Sequence, residues 1–320
     1  MTQAVNSPPD PRYLLALGAA NMDISASSHH ALQLADSNPG RIRCTPGGVA
    51  RNVAENLARL GQDVHLLAAV GDDLHGTSLL QATQKAGVNV HGCWVMPGEA
   101  TSTYVSLHGP GGDMAVAVND MDIVERITAQ QLAAHADKLH QAAAVLLDCN
   151  LPATALQWIF EQQLTAPIFV DTVSAFKCQR VAPWLAQVHT IKLNRLEAQT
   201  LSGLAADTDA GLQAIAHWLH AQGVQCVLLS LAERGVMWSE KTANSDAVQG
   251  WQKALSVAPV NVTGAGDALM AGVMHGFMHK QDLVSAIRFA VGCAAMTVTT
   301  EHANHPGLSV GAVQQLIQSS

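Results

Sequence analysis

The sequence predicts an α/β fold: a doubly wound, mainly parallel sheet sandwiched by helices. The first observation is composition, because 48% of the 320 residues are hydrophobic and only 4% are aromatic. A core of Ala, Leu and Val suits parallel strands that are covered on both faces. The second is rhythm, because short apolar runs alternate with amphipathic stretches after residue 120, which is the βαβα order of a parallel sheet. The third is that polar residues follow these runs, where open α/β sheets bind ligands.

The N-terminal third of the chain supplies two strands and two helices. The apolar runs at 13–20 and 64–70 predict buried strands. Between them, Gly47 and Gly48 open a stretch whose apolar residues recur at helical spacing. A second helix is predicted near 76–86. These elements form the start of the doubly wound sheet.

Two segments do not fit a helix-covered sheet. The chain at about 23–43 and at 92–118 is polar or alternates between apolar and polar residues, with a Gly/Pro turn at 109–112. We therefore predict a single domain spanning 1–320, in which a small β lid projects from the helix-covered sheet. Such a lid has open strand edges, and pairing the lids of two chains would cover them. This predicts a homodimer through the lid.

The second half of the chain carries the strand–helix rhythm most clearly. Strands are predicted at residues 144–147, 168–170, 189–192 and 227–230. A surface hairpin is predicted at 239–251, and a helix follows the glycines near 265.

Several function classes are excluded by composition. The net charge of −8 argues against non-specific binding to nucleic acid or to membranes. No apolar run approaches the roughly 20 residues of a membrane span, and residues 1–12 are too polar for a secretory leader. The six cysteines contain no C-x-x-C pair, which is typical of reduced thiols in a cytoplasmic protein.

The most informative motif is Thr263-Gly264-Ala265-Gly266-Asp267, which runs directly into an apolar stretch of helical character. Glycines let the backbone approach a ligand closely, and the N–H groups at a helix start bind anions, above all phosphate. Asp267, in the first turn, could take a proton from a hydroxyl beside that anion. A glycine-rich turn with an aspartate that merely starts the helix explains the motif equally well on its own.

A second glycine element, Gly47-Gly48 with Asn52 in the helix that it opens, lies about 215 residues upstream. Together the two elements resemble the paired signatures of the ribokinase-like (PfkB) carbohydrate kinases. The likeness extends over residues of about 14–310. It implies ATP-dependent phosphorylation of an alcohol, with the upstream element holding the sugar and the downstream element holding the phosphates and the catalytic Asp267.

The resemblance also implies roles on the phosphate side. Asp267 would be the base, and the backbone N–H groups of Gly264, Ala265 and Gly266 would stabilise the transferring phosphate. The implied nucleotide contacts are Asn194, Ser230, Ala232, Gly235, Gly264, Gly266 and Asn304. Ala232 stands where the family usually has a glycine.

The motif Asn194-x-x-Glu197 resembles the N-x-x-E motif with which the family organises Mg²⁺. Amide and carboxylate oxygens on one helical turn suit a hydrated Mg²⁺. Taken alone, the same pattern is better explained as a helix N-cap with its capping-box partner. The resemblance therefore implies ATP and Mg²⁺ as cofactors. It also implies K⁺ as a possible further cofactor. At the position where the family usually has Asp beside the K⁺ site, this chain has Asn261, which keeps oxygen ligands but lacks the negative charge.

On the sugar side, Asp23 could accept hydrogen bonds from two neighbouring hydroxyls. The implied substrate contacts are Asn21, Asp23, Gly47, Gly48, Asn52, Asn150 and Asp267. Taken alone, Asn21 and Asp23 are better explained as a simple turn at the end of a strand. Lys177 could touch substrate or phosphate, but it is better explained as a surface lysine.

Within the family, the likeness is to members that act on the nucleoside pseudouridine. It implies transfer of phosphate to the ribose 5′-hydroxyl, with the uracil beneath the lid near Thr103, Tyr104 or Asn119. Two alternatives stay open. One is a kinase for another nucleoside or sugar, such as inosine, ribose or fructose. The other is a non-catalytic sugar- or nucleotide-binding module, which predicts a degraded site, although Asp267 and both glycine elements are intact.

Overall fold

The computed structural model describes residues 13–242 and 247–320. The strands are β1 (Leu14–Leu17), β2 (Asn21–Ser28), β3 (Gly40–Gly47), β4 (Val64–Leu67), β5 (Ala69–Gly71), β6 (Trp94–Met96), β7 (Thr103–His108), β8 (Met114–Asp120), β9 (Ala144–Asp148), β10 (Ile168–Asp171), β11 (Thr190–Asn194), β12 (Cys226–Ser230), β13 (Val236–Lys241) and β14 (Ala247–Gln252). The α-helices are α1 (Val49–Arg59), α2 (Leu74–Lys85), α3 (Asp122–Glu125), α4 (Ala129–Ala133), α5 (Ala136–Gln141), α6 (Ala153–Glu161), α7 (Arg195–Ser202), α8 (Asp209–Ala221), α9 (Ala265–Met278), α10 (Leu283–Val298) and α11 (Val310–Gln318). Short 3₁₀ helices cover Cys178–Gln187 and Ala232–Arg234.

Two predictions fall partly or wholly outside the described residues. Residues 1–12, which we interpreted as too polar for a secretory leader, lie outside the described residues. Residues 243–246 of the predicted hairpin also lie outside them. The rest of that hairpin is β13 and β14, which pair antiparallel at one edge of the main sheet.

The main sheet has eight strands in the order β14-β13-β12-β11-β10-β9-β1-β4. Six neighbouring strands of this sheet are parallel to one another, namely β12, β11, β10, β9, β1 and β4. Alternate residues of β1 enter different hydrophobic clusters, Leu15 and Leu17 on one face and Leu14 and Ala16 on the other. A sheet buried on both faces needs apolar residues at consecutive positions. The predicted doubly wound α/β fold is confirmed.

The register of the parallel strands aligns polar residues along one edge. Asp148 at the end of β9 pairs with Asp171 at the end of β10, and Asp171 pairs with Lys192 in β11. Further along, Asn194 pairs with Ser230. Carboxyl ends of parallel strands therefore bring together side chains that lie far apart in the sequence, at the edge where such sheets bind ligands.

The second sheet, here called the small sheet, has four strands in the order β3-β2-β7-β8. It is built from both segments of the predicted lid. The prediction was wrong for the start of the second segment, because β6 pairs with β5 in a separate two-stranded sheet. The Trp94 N–H donates to the Ala68 carbonyl at 2.9 Å, which ties β6 to the end of β4. Three alternating residues are too few to indicate which sheet a strand joins.

None of the helices in the described part of the chain combines the length and apolar character needed to cross a membrane.

Candidate active site

Helix α9 begins at the glycine-rich motif with an uncapped first turn. Gly264, at the N-cap position, has φ of 82°, a left-handed conformation that favours glycine. Any side chain there would overlap the Ala303 carbonyl. Because Gly264 has no side chain to accept hydrogen bonds, the first N–H groups of α9 can face an anion instead.

Asp267 lies in this first turn, where its side chain contacts the upstream glycine element. Asn52 Nδ2 in α1 donates to Asp267 Oδ2 at 2.8 Å. Asp267 is only 8% exposed. Burial raises the pKa of this carboxyl to about 7, with a further contribution from Asp171, while Lys192 and Asn52 act in the opposite direction. A pKa near neutrality suits a group that takes and releases a proton.

Lys192 places a buried positive charge beneath the start of α9. Its Nζ lies 2.7 Å from Asp171 Oδ2, and a side chain added at Gly266 would begin 2.7 Å from the same Nζ. Burial disfavours the charged lysine, but Asp171 and Asp267 outweigh it, so the pKa of Lys192 is raised. The sequence analysis missed this residue, and the available signal was a lysine in the apolar run of β11.

Asp148, also missed, holds three parts of the site together. Its Oδ2 accepts the N–H groups of Ala19 and Ala50, and its Oδ1 accepts that of Asn150, each at 2.9 Å. These bonds join the loop after β1, the first turn of α1 and the loop after β9. The pKa of Asp148 is raised by its burial, which the three backbone hydrogen bonds oppose. The signal in the sequence was an aspartate that ends an apolar run.

Asp23 lies on the small sheet against the first glycine element. It is one of the first residues of β2 and pairs with Thr45, so the simple-turn explanation was wrong. Asn21 Nδ2 donates to Asp23 Oδ1 at 2.6 Å. Burial raises the pKa of Asp23 to about 6, whereas Asn21 and Arg51 lower it. A side chain at Gly47 would overlap this carboxyl group.

Gly48 completes the link from Asp23 to Asp267. It has φ of 99° at the N-cap of α1, and its carbonyl accepts the Asn52 N–H at 2.7 Å. The structure thus joins six of the predicted site residues through successive contacts. They are Asn21, Asp23, Gly47, Gly48, Asn52 and Asp267.

Asn150 is placed at the same edge of the main sheet but with a partner that the sequence analysis did not predict. Lys177 Nζ donates to Asn150 Oδ1 at 2.6 Å, and Lys177 is half-buried. The interpretation of Lys177 as a surface lysine was therefore wrong. The segment between Asp171 and Lys177 turns sharply, because Val173 has φ of 65° and the Ser174 N–H donates to the Thr172 carbonyl.

The predicted nucleotide loop is a tight turn after β12. Ser230 pairs with Asn194, and the Leu231 N–H donates to the Gly235 carbonyl at 2.8 Å. Gly235 has φ of 89°, and a side chain there would overlap the Gln252 carbonyl. Ala232 has φ of 51°, a conformation that glycine adopts more easily. A glycine would therefore suit this position, but the turn also forms with alanine.

Asn194 and Glu197 form the capping box of α7. Asn194 Oδ1 accepts the Glu197 N–H at 2.9 Å, and the Glu197 carboxylate accepts the backbone and side-chain N–H groups of Asn194 at 2.8 and 2.7 Å. Thr172 Oγ1 also donates to Glu197 Oε2. Each carboxylate oxygen thus has a protein donor, so this donor set fits Mg²⁺ that keeps its own waters. Within the described ranges, no group of three or more His, Cys, Asp or Glu is arranged for metal binding.

Two predicted residues have their polar groups occupied elsewhere. Asn304 Nδ2 donates to the Asn52 carbonyl at 2.8 Å, and its Oδ1 accepts from Arg51. Asn304 therefore supports α1 through both polar atoms of its side chain. Asn261 Oδ1 accepts the Thr263 N–H, and its Nδ2 donates to the Glu301 carbonyl. Both polar atoms of the Asn261 side chain therefore already have a partner in the protein.

Comparison with known proteins places this site in context. Residues 11–309 match the family described as pfkB family carbohydrate kinase. The chain is 44% identical to the pseudouridine kinase of Escherichia coli strain K12, over 96% of this chain and 97% of that protein. It is 40% identical to the uncharacterized sugar kinase YeiI of the same organism, over 95% and 83% of the two chains. The fold is similar to that of Arabidopsis thaliana ribokinase complexed with ribose and ATP, with a TM-score of 0.83, 18% identity, and coverage of 97% and 99%.

Proposed function

We propose, from the premise that this chain belongs to the pfkB family of carbohydrate kinases, that it phosphorylates pseudouridine. The γ-phosphate of ATP passes to the ribose 5′-hydroxyl, giving pseudouridine 5′-phosphate and ADP. The observation that carries the chemistry is the hydrogen bond from Asn52 to Asp267. It joins the two glycine elements, one suited to hold an alcohol and the other to hold phosphate.

In this proposal, the oxygen of the ribose 5′-hydroxyl attacks the γ-phosphorus, and Asp267 accepts the proton of that hydroxyl. Phosphoryl transfer depends mainly on positioning and on stabilising the charge of the transferring group. The first N–H groups of α9 and the buried ammonium of Lys192 supply positive charge at this point. Asp23, set against Gly47, accepts hydrogen bonds from the 2′- and 3′-hydroxyls and fixes the ribose.

Kinases of this family use ATP with Mg²⁺, which neutralises charge on the phosphates. In this chain, Asn194 and Glu197 would hold the hydrated ion through its waters, because their own hydrogen bonds occupy each carboxylate oxygen. Any K⁺ would meet the uncharged Asn261, whose Oδ1 already accepts one hydrogen bond, from the Thr263 N–H. We also propose a cytoplasmic location, because all six cysteines are free thiols.

The choice of pseudouridine rests on the likeness to the Escherichia coli pseudouridine kinase. The small sheet offers a surface for its uracil. Tyr104 pairs with both Asp23 and Asn119, so these three side chains share one face. Thr103 pairs with Met22 and lies on the opposite face. Tyr104 and Asn119 are therefore better placed than Thr103 to contact the base.

A panel of alcohols tests the proposed substrate by coupled detection of ADP. We expect kcat/KM for pseudouridine to exceed that for uridine, ribose and fructose by at least about tenfold, because losing one matched hydrogen bond costs that much or more. A kinase for sugars is the alternative favoured by the 40% identity to YeiI. Faster turnover of ribose, fructose or inosine than of pseudouridine would contradict the nucleoside assignment.

We further propose that the chain forms a homodimer through the apolar face of the small sheet. Leu107 pairs with Val116, and Val105 pairs with Val118, so these four side chains cluster on the face opposite Asp23. Val118 is 68% exposed, and Ile42 in β3 is 70% exposed. A contiguous apolar patch next to open strand edges is typical of a protein interface.

A charged substitution in that patch tests the dimer. We expect the unchanged chain to elute at twice its 33.6 kDa mass in size-exclusion light scattering, and Val118→Glu to elute as a monomer, since a buried unpaired carboxylate opposes association. The matched control is Val284→Glu, a similarly exposed valine in the first turn of α10. A monomeric unchanged chain, or dimeric Val118→Glu, would rule out this interface.

A further inference from the structure

Arg51, next to Asn52 in α1, is a buried arginine that the reaction described above does not use. It is 2% exposed, and its guanidinium makes contacts with five residues from four segments of the chain. These contacts are with Pro46, Asn52, Glu55, Thr83 and Asn304. An ionised side chain is costly to bury unless it is paired, and Glu55 provides that pairing. The remaining hydrogen bonds go to Asn52 and to three residues outside α1.

The hydrogen bond between Arg51 and Asn52 fixes which way the Asn52 amide points. Arg51 Nη1 donates to Asn52 Oδ1 at 2.6 Å. A guanidinium has only donors, whereas an amide has an oxygen that accepts and a nitrogen that donates. Asn52 must therefore turn its oxygen to Arg51 and its NH₂ group to Asp267, as the 2.8 Å bond to Asp267 Oδ2 requires. If the Asn52 amide were flipped, its NH₂ group would face the N–H donors of Arg51, and its oxygen would face the Asp267 carboxylate.

Arg51 also joins the segments that carry the two glycine elements. Its Nη1 reaches the Pro46 carbonyl, just before Gly47, at 3.2 Å. The same nitrogen reaches Asn304 Oδ1 at 3.1 Å, and the neighbouring Ala303 carbonyl packs against Gly264. One guanidinium thus contacts both Pro46, beside the glycines proposed to hold the alcohol, and Asn304, beside the residue that packs against the phosphate-binding motif.

We infer that Arg51 is a positioning residue, which holds the Asn52 amide toward Asp267 and so favours the ionised, proton-accepting form of that carboxylate. This inference rests on the proposed function, in which Asp267 is the base. It gives Arg51 an effect on catalysis although Arg51 touches neither Asp267 nor the reacting atoms.

The other charged groups that face Asp267 do not depend on Arg51. Asp171 and Asp148 raise the pKa of Asp267, and Lys192 lowers it. Asp171 and Lys192 pair with each other, and Asp148 accepts the N–H groups of Ala19 and of Ala50 in the first turn of α1, so none of these contacts involves the Arg51 side chain. Around Arg51 itself, the charged groups are Glu55, Asp23 and Arg59. Replacing Arg51 therefore removes the constraint on Asn52 while leaving the charges beside Asp267 in place.

The experiment compares Arg51→Met with Arg59→Met by following the ¹³Cγ chemical shift of Asp267 against pH. The Asp267 signal is assigned by its absence from Asp267→Asn. Arg59 is the matched control because it lies in the same helix and also pairs with Glu55, at 2.7 Å. We expect the midpoint to rise by about one pH unit in Arg51→Met, the size of one hydrogen bond to a charged group, and to stay unchanged in Arg59→Met.

Turnover provides a second readout. In Arg51→Met we expect the acid limb of kcat to move upward with the NMR midpoint, so that the deficit at neutral pH shrinks in alkaline buffer. A merely structural role lowers kcat by the same factor at every pH, and that result, or an unshifted midpoint, would overturn the inference. If Arg51→Met does not fold, Arg51→Met/Glu55→Met removes the buried pair together. Because the NMR midpoint needs no substrate, it remains decisive even if no alcohol is phosphorylated, an outcome that contradicts only the proposed function.

Discussion

Replacing Asp267 with Asn is expected to lower kcat roughly 10³-fold, the contribution of a positioned general base. The substitution keeps the size of the side chain in the first turn of α9 but removes its capacity to accept a proton. Binding of ATP and of the alcohol should persist, because the N–H groups of α9 and the Asp23 carboxylate are unchanged. The measurements are kcat from coupled ADP release and dissociation constants from calorimetry.

The control for this prediction is Asp282→Asn. Asp282 is also a helix-start aspartate: it is the N-cap of α10, and its side chain accepts the Ser285 N–H. It lies on the surface and has no contact with the site. If Asp267 merely started a helix, the two variants would lose stability similarly and retain activity. Near-normal turnover by Asp267→Asn would therefore reject the base assignment and favour the simpler explanation of the motif.

The predictions from sequence that succeeded depend on local regularities. Short runs of three or four residues identified β9 to β12, and polar residues after those runs marked the edge where Asp171, Asn194 and Ser230 gather. Glycines that open an apolar helical pattern identified the starts of α1 and α9. In each case the backbone requirement of the element is visible within about ten residues of sequence.

What the sequence could not supply is the pairing of distant side chains. Nothing local indicates that Asn52 donates to Asp267, or that Lys192 in an apolar strand pairs with Asp171. The sequence also left two explanations for Asn194 and Glu197, and the observed capping box accounts for their geometry without an ion. Strand β6 was assigned to the wrong sheet, because its three residues carry no information about their partner.

The second large effect is expected from Lys192→Met, which should lower the free energy of unfolding by about 3–5 kcal/mol. Lys192 is 8% exposed and Asp171 is 1% exposed, so the substitution leaves Asp171 and Asp267 buried without their cation. The cost should depend on pH. Lys192 lowers the pKa of Asp267, so removing the lysine raises the folded-state pKa of that carboxyl further, and stability is retained at low pH and lost as pH rises. Urea unfolding at pH 5 and pH 8 measures this difference, with the larger loss expected at pH 8.

Two further variants separate charge from packing in this prediction. Arg126→Met removes an ion pair with Glu99 that is largely exposed and should cost less than about 1 kcal/mol. Lys192→Met/Asp171→Asn removes both charges of the buried pair and should recover much of the lost stability, because replacing a buried pair together is far less costly than removing one partner. Equal losses for the single and double variants would show that the Lys192 side chain stabilises the sheet by packing. Recovery in the double variant, with kcat still reduced, would instead indicate that the ammonium beneath α9 is retained for its charge at the site of phosphoryl transfer.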